Sequence, residues 1–261
     1  MAPPASAQGE PALDGNLPGH FTVTVGALFA SNLDTKLRLD SRKNDLGTTI
    51  DLEDVLGLKS TANSFAAQAT WQIHLRHRLS VSYYSLRRTN TKRLTRDIDL
   101  GDTTWTAGVD ISSRFNTSYA NFGYRWSPIL TSRLQLGIGL QVPVVYFNTE
   151  FTARTSLLQV TARRRQNATV PIPLPALNAT VRLARFLYLD GQAQYLRISV
   201  SDISTDVFTF RGDLNYYPLS ALGVGLGVHG DYSTIASRKK NFTGKLRYDV
   251  IGGTVQLIWI P

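Results

Sequence analysis

Residues 134–142, LQLGIGLQV, alternate between apolar and polar or small side chains at every step. Because successive side chains of a β-strand point to opposite faces, one face of this segment is apolar and the other carries glycine and glutamine. About nine to eleven residues are enough for a tilted β-strand to cross a bilayer. The segment is therefore predicted to be a strand that separates an apolar environment from a polar one.

The same alternation recurs along the chain, and its spacing predicts the topology. Short turns near residues 76, 129, 185 and 218 alternate with long polar connections at 31–62, 91–113, 147–174 and 233–245, and 197–206 is intermediate. This plan predicts an all-β, antiparallel up-and-down barrel of about ten strands. Eight strands is an alternative, and twelve would result if the stretches 36–39 and 49–52 crossed separately.

Two features favour a membrane barrel over a soluble one, which remains the alternative. The non-apolar face is mostly Gly, Ser, Thr, Gln and Asn, which suits a packed polar lumen more than a solvent-exposed face. Aromatic residues gather at strand ends, as in the two interfacial girdles of membrane barrels. We expect one girdle near the short turns and the other toward the long connections: Trp126, Phe186, Tyr217 and Trp259 in the first, Phe29, Tyr83, Tyr146 and Phe147 in the second.

Composition narrows the class of function. The 261 residues include no cysteine, which excludes disulfides and thiolate metal sites. Lys and Arg number 28 against 19 Asp and Glu, a formal charge of +9. Such a balance favours polyanionic neighbours, and for a membrane barrel these are lipopolysaccharide phosphates rather than nucleic acid.

The chain resembles the small single-chain outer-membrane barrels of Gram-negative bacteria over residues 20–261. Its carboxyl end, with Gly252, Val255, Leu257 and Trp259, is similar to the assembly signal of that class, although Ile260 and Pro261 follow the aromatic residue. The resemblance implies a monomer with long loops outside and short turns and termini in the periplasm. Residues 1–19 are expected to be a flexible periplasmic lead, which is either a signal-peptide remnant or an ordinary tail rich in Ala and Pro.

Several charged residues occupy positions of the alternation that face the lumen. His229 and Asp231 share one face of a strand, and such a pair can act as a general base. The alternative is a lumen network that neutralises buried charge, because charges in a packed interior must pair. By parity the network would contain these two with Arg125, Arg182, Asp190, Arg211 and Asp213.

The long connections carry their own candidates. Arginine clusters grip phosphate groups, and those here would contact lipopolysaccharide or stay solvated: Arg154, Arg163, Arg164, Arg165, Arg238, Lys239 and Lys240. Five acidic residues of the first connection could bind Ca²⁺ or form a solvated surface: Asp40, Asp45, Asp51, Glu53 and Asp54. Of the two, we expect the solvated surface, and we expect no metal and no cofactor.

These patterns predict a structural or interaction platform with at most a narrow pore, and an envelope protein is a candidate partner. An outer-membrane hydrolase of lipid A or peptide using His229 and Asp231 is the alternative, and a small-solute or ion channel is another. No phosphate-binding loop or nucleophile elbow is present in the sequence.

Overall fold

A computed structural model describes residues 20–40, 49–100, 103–154, 161–239 and 242–261. Every regular element in these ranges is a β-strand. None of the described residues belongs to a helix long and apolar enough to cross a membrane. In chain order the strands are β1 (Phe21–Leu39), β2 (Thr49–Asp51), β3 (Ala62–His74), β4 (His77–Arg93), β5 (Ile98–Leu100), β6 (Thr103–Trp105), β7 (Asp110–Leu130), β8 (Leu134–Arg154), β9 (Thr161–Pro171), β10 (Leu174–Ala184), β11 (Leu187–Val200), β12 (Ile203–Tyr216), β13 (Leu222–Lys239) and β14 (Phe242–Trp259).

The long strands close one antiparallel ring. Its order is β1, β3, β4, β7, β8, then β9 with β10, then β11, β12, β13 and β14, which pairs with β1. Since β9 and β10 pair with successive parts of β8, they form one interrupted wall strand. This confirms the barrel of about ten strands. The twelve-strand alternative is wrong, because residues 36–39 continue β1 and 49–51 only add the short β2 to it.

Side chains alternate across the wall as the sequence predicted. Leu177 and Leu226 point outward and are 66% and 62% exposed, whereas Gln135 points inward and is 1% exposed. An apolar outer face around a polar interior is the arrangement of a barrel that faces lipid.

Strand β1 changes faces at a bulge. Its register against β14 slips between Ala30 and Asn32, and the intervening Ser31 donates its hydroxyl hydrogen to the Ile251 carbonyl at 3.2 Å. Before the bulge Leu28 and Ala30 are buried, and after it Leu33 is. One inserted residue transfers every following side chain to the opposite face. The bulge therefore turns apolar side chains into the barrel beyond this level.

Beyond the bulge level the strands enclose a dry core, which we call the apolar cap. Residues 52–58 fold into it, with Leu52, Leu56 and Leu58 at most 2% exposed. The cap comprises Leu33, Leu37, Leu52, Leu56, Leu58, Leu86, Phe115, Phe147, Phe151 and Tyr248 with their apolar neighbours.

A buried arginine fastens the inserted segment. Arg88 forms an ion pair with Glu53, and its Nη2 donates to Thr35 Oγ1 at 2.6 Å. Glu53 also accepts the Thr35 amide at 2.9 Å, and the Arg88 guanidinium lies 5.1 Å from the Phe115 ring centroid. Breaking a buried ion pair costs about 3–5 kcal/mol. This contact therefore holds residues 49–58 inside the cap.

At the level of the cap the outward residues become charged. Lys36, Arg114 and Arg247 occupy outward positions there, each beside an acidic side chain. Strands β7 and β8 have 21 residues each, about twice the length needed to cross a bilayer. The long-strand end of the barrel therefore extends beyond the apolar belt.

Two aromatic residues expected in the girdles point inward instead. Tyr217 is 3% exposed and contacts Tyr188 edge-on, because it shares the inward parity of Asp213 and Asn215 on β12. Phe147 is 6% exposed and packs on Phe115, since its parity puts it in the cap. Trp126, Phe186 and Trp259 are 39–50% exposed at the short-turn end, as predicted.

The two faces of β8 provide a test of the barrel's orientation toward lipid. An outward arginine at mid-membrane costs about 2–4 kcal/mol in barrels. We expect Leu136→Arg to reduce the refolded fraction, followed by heat-modifiable electrophoretic mobility, far more than the adjacent inward change Gln135→Arg. Equal losses would contradict a lipid-facing side, and the reverse order would mean that the faces are exchanged.

Candidate functional site in the barrel lumen

Glycines of β13 make room for the polar side chains of the lumen. A side chain at Gly225 would clash with Asn215, and one at Gly227 would clash with Asp213. Asn215 and Asp213 lie on the neighbouring strand β12, at the register positions opposite these glycines. The space above these glycines is therefore filled by side chains of the neighbouring strand.

His229 and Asp231 do form a pair inside the barrel. His229 Nε2 and Asp231 Oδ2 are 2.7 Å apart, and the same oxygen accepts the Tyr84 hydroxyl hydrogen at 2.9 Å. Tyr84 comes from β4 on the other side of the lumen and stacks on Tyr119 at 4.9 Å between centroids. No hydroxyl among the described residues hydrogen-bonds the His229 ring. The geometry resembles a structural brace more than a base beside its nucleophile.

Arg211 forms a crossbar through the middle of the lumen. Its Nε donates to Asp213 at 2.5 Å, its Nη1 to Gln68 at 2.6 Å, and its Nη2 to Gln256 at 3.0 Å. Gln68 belongs to β3, so the guanidinium joins strands that are well separated around the ring. A delocalised cation with several donors can satisfy acceptors from several strands at once. Arg211 therefore links strands β12, β3 and β14 inside the lumen.

The remaining predicted network members lie toward the short turns. Asp190 accepts the Thr180 hydroxyl hydrogen at 2.6 Å and the Asn215 amide at 2.9 Å. Arg125 is 9% exposed and donates to Gln135 at 3.0 Å. Arg182 also points inward, by the register of β10 with β11. Asn215 in turn accepts from Gln256 at 3.1 Å, and Gln256 also bonds Asp213 and Arg211, so Asp190 is joined to the crossbar through neutral side chains.

Two small cavities lie on either side of the crossbar. One of about 140 Å³ is lined by Arg78, Arg125 and Asp190, and one of about 90 Å³ by Tyr84, Tyr119 and His229. Both contact Gln68, Arg211 and Gln256, which separate them. Spaces of this size hold a few ordered water molecules. The His229–Asp231 pair borders the smaller cavity, and such a pair can shuttle a proton.

The acidic group of the first connection has structural partners. Asp34, Asp51 and Glu53 can bring carboxylate oxygens within 4.8 Å of one another. However, Glu53 pairs with Arg88, and Asp51 Oδ1 accepts the amides of Glu53 and Asp54 at 3.1 and 2.9 Å. Asp40 lies 2.5 Å from Arg38, and Asp45 is outside the described residues. These carboxylates shape the turn that enters the cap.

The cationic loop residues can be placed only in part. Arg238 is exposed near the long-strand end, where its backbone amide donates to Asp202 at 2.9 Å. The side chains of Arg154, Arg163, Arg164, Arg165 and Lys239 lie outside the described residues, as does all of Lys240. Outward Arg87 and Arg197 join the cations of this region. Neither arginine was predicted, because the alternation of outward and inward residues was not followed to the ends of these two strands.

The sequence also missed the neutral partners of the buried charges. Tyr84, Gln68 and Gln256 complete the His229–Asp231 pair and the Arg211 crossbar. Their inward parity was visible, but polar neutral residues occur on every inward face of the barrel. Only the tilt and closure of the ring decide which of them meet.

Comparison with known proteins assigns a fold but no family. No protein-family model and no curated protein matches the chain. The structure is similar to that of the outer membrane protease OmpT from Escherichia coli, with 10% identity, 93% of this chain and 97% of that chain covered, and a TM-score of 0.59. Weaker likenesses include the outer membrane protein OprG from Pseudomonas aeruginosa (11% identity, 94% and 98% covered, TM-score 0.35) and Ail of Yersinia pestis (10%, 91% and 99%, 0.36). The chain has the fold of Gram-negative outer-membrane β-barrel proteins.

Proposed function

We propose that the chain is a closed-lumen barrel of the bacterial outer membrane that serves as a structural and interaction platform. In this proposal the short turns and termini face the periplasm, and the long-strand end, with its apolar cap, faces outward. Its partners are lipopolysaccharide and an envelope protein. The observation that carries the proposal is that three layers of side chains block the interior, one at each end and one in the middle.

Three layers support closure. Tyr188, Tyr217, Ile258 and Ile260 pack together at the short-turn end. The Arg211 crossbar and its acceptors occupy the middle, and the apolar cap occupies the long-strand end. A barrel of about this strand number is close to the size that side chains fill completely. The channel alternative would need all three layers to open.

Conductance tests the closed lumen. We expect the refolded barrel to show no discrete current steps in planar bilayers at 1 M KCl, while a porin refolded in the same way conducts. Deleting residues 50–58 in a background with Arg211→Ala and Tyr217→Ala weakens all three layers and should produce measurable steps. Stable ohmic steps from the unmodified barrel would contradict the platform and favour the channel.

The hydrolase alternative makes a different prediction at His229. In a structural brace, His229→Ala leaves Asp231 buried without its partner, which costs about 1–3 kcal/mol and lowers thermal stability. Tyr84→Phe should destabilise the barrel by a similar route because Asp231 loses a second donor. The measurement is the midpoint of the heat-modifiable mobility shift, compared with the outward control Thr89→Ala. Hydrolysis of lipid A or a peptide that disappears in His229→Ala, with the midpoint unchanged, would establish the enzyme instead.

A further inference from the structure

The barrel wall is open along part of one seam. The ladder between β10 and β11 ends at the pair Ala176 and Gln194. Beyond this pair β11 continues to Val200 with β12 as its partner, and β9 has β8 as its partner. Among the described residues no pairing joins β9 to β11. One edge of β11 therefore lies uncovered toward the long-strand end.

Three prolines explain why the seam does not close. Pro171, Pro173 and Pro175 alternate along the interrupted strand. The amide of Ile172 between them donates to the Pro143 carbonyl of β8 at 3.0 Å. Because successive amides of a strand point to opposite sides, the amides at 171, 173 and 175 would have pointed toward β11. Proline has no amide hydrogen, so this edge offers β11 no donor.

The register identifies the groups that are left without partners. Continuing the ladder from Ala176 and Gln194 would place Pro175, Pro173 and Pro171 opposite Tyr195, Arg197 and Ser199. The amides and carbonyls of those three β11 residues therefore face the open seam. Proline on an edge strand prevents pairing by that strand, but it does nothing to protect the strand opposite. The unprotected edge belongs to β11.

This edge is held in an extended conformation before any partner arrives. It pairs with β12 up to Val200 and Ile203. The tight turn that follows has Ser201 at a φ of 49°. Arg238 of β13 donates its amide to the Asp202 carbonyl at 2.9 Å, which fastens the turn to the next hairpin. A strand that is already ordered loses less conformational entropy on binding.

The side chains along the edge indicate what kind of segment it would accept. Ile198 and Val200 have lumen-facing parity, yet they are 46% and 58% exposed, and no strand among the described residues covers them. Leu196 packs behind them on a buried apolar cluster of Ile172, Leu174, Val207 and Ile235. On the outer side Arg197 and Asp206 are exposed and 3.9 Å apart. The edge thus presents alternating apolar and charged positions.

We propose that the open edge of β11, residues 195–200, is a docking site for an extended peptide segment of a partner protein. The segment continues the β10–β11 ladder, bonds Arg197 and Ser199 through its main chain, and places apolar side chains on Ile198 and Val200. An acyl chain cannot satisfy amide and carbonyl groups, and charged residues line the outer side. This proposal rests on the proposed platform role, and it specifies the partner of the platform as a protein that offers an extended segment.

A peptide that already fits β11 provides the probe. Residues 203–210, ISTDVFTF, include the segment that pairs with the other edge of β11. A fluorescein-labelled peptide of this sequence should bind the refolded barrel, measured by anisotropy. At saturation it should slow amide hydrogen exchange at Arg197 and Ser199 at least tenfold. A peptide N-methylated at alternate residues should do neither.

Restoring the missing donors should close the site. In the triple variant Pro171→Thr, Pro173→Thr and Pro175→Thr, we expect Arg197 and Ser199 to exchange slowly without peptide and the peptide to lose its binding. Pro218→Thr, in a short turn, is the matched control and should bind normally. Should the triple variant not fold, Ile198→Lys should weaken binding at least tenfold, with the outward Ser204→Lys as its control.

Three results would overturn the proposal. The first is the absence of protection at Arg197 and Ser199 in the unmodified barrel at saturating peptide. The second is equal binding by the closed-seam or Ile198→Lys variant and its control. The third is full protection by lipopolysaccharide alone, which would assign the seam to lipid. None of these changes the conductance of the barrel, so the platform proposal is tested separately.

Discussion

The bilayer imposes the constraint on which the rest of this structure depends: no water is available to pair a backbone amide or carbonyl in hydrocarbon. Each wall strand consequently needs a neighbour on both sides within the apolar belt, and the ring from β1 to β14 provides one. Outward side chains face lipid, so the polar ones must point inward. Closure of the ring and the filling of its interior therefore follow from the same requirement.

The interior meets this requirement in two chemically different ways. Within the apolar belt, the Arg211 crossbar and the Tyr84–Asp231–His229 brace join strands across the lumen. Beyond the belt, the bulge at Ser31 turns apolar residues of β1 inward, and the buried Arg88 fastens residues 49–58 into the same core. The charged brace and the apolar cap both favour a closed barrel, and the open seam of β11 lies outside them.

Much of this architecture follows from residue order alone. Alternation around Leu136 and Leu226 predicts the outward face, and the spacing of turns predicts ten strands. The pairing of His229 with Asp231 follows from their separation by two positions on one strand. Tyr217 and Phe147 were assigned to the girdles from their position near strand ends, although Tyr217 shares the inward parity of Asp213 and Phe147 that of Gln141. What alternation cannot predict is a change of phase such as the bulge at Ser31.

Contacts across the lumen could not be predicted from the sequence either. Gln68 meets Arg211 and Tyr84 meets Asp231 only because the ring closes with a particular stagger. The prolines at 171, 173 and 175 illustrate a further limit, since their meaning depends on which neighbour each missing amide would have faced. That direction becomes known only once Ile172 is seen to bond β8.

Reactivity of single cysteines tests the closed interior most directly, because the natural chain has none. Thr117 points into the barrel at the level of the cap and is 1% exposed, whereas Thr89 is exposed on the outer face. With a small methanethiosulfonate reagent added to the folded barrel, the account predicts that Thr117→Cys reacts at least 100-fold more slowly than Thr89→Cys. In urea the two should react alike. Comparable rates in the folded barrel would show that water and solutes reach the interior, and would contradict a closed lumen.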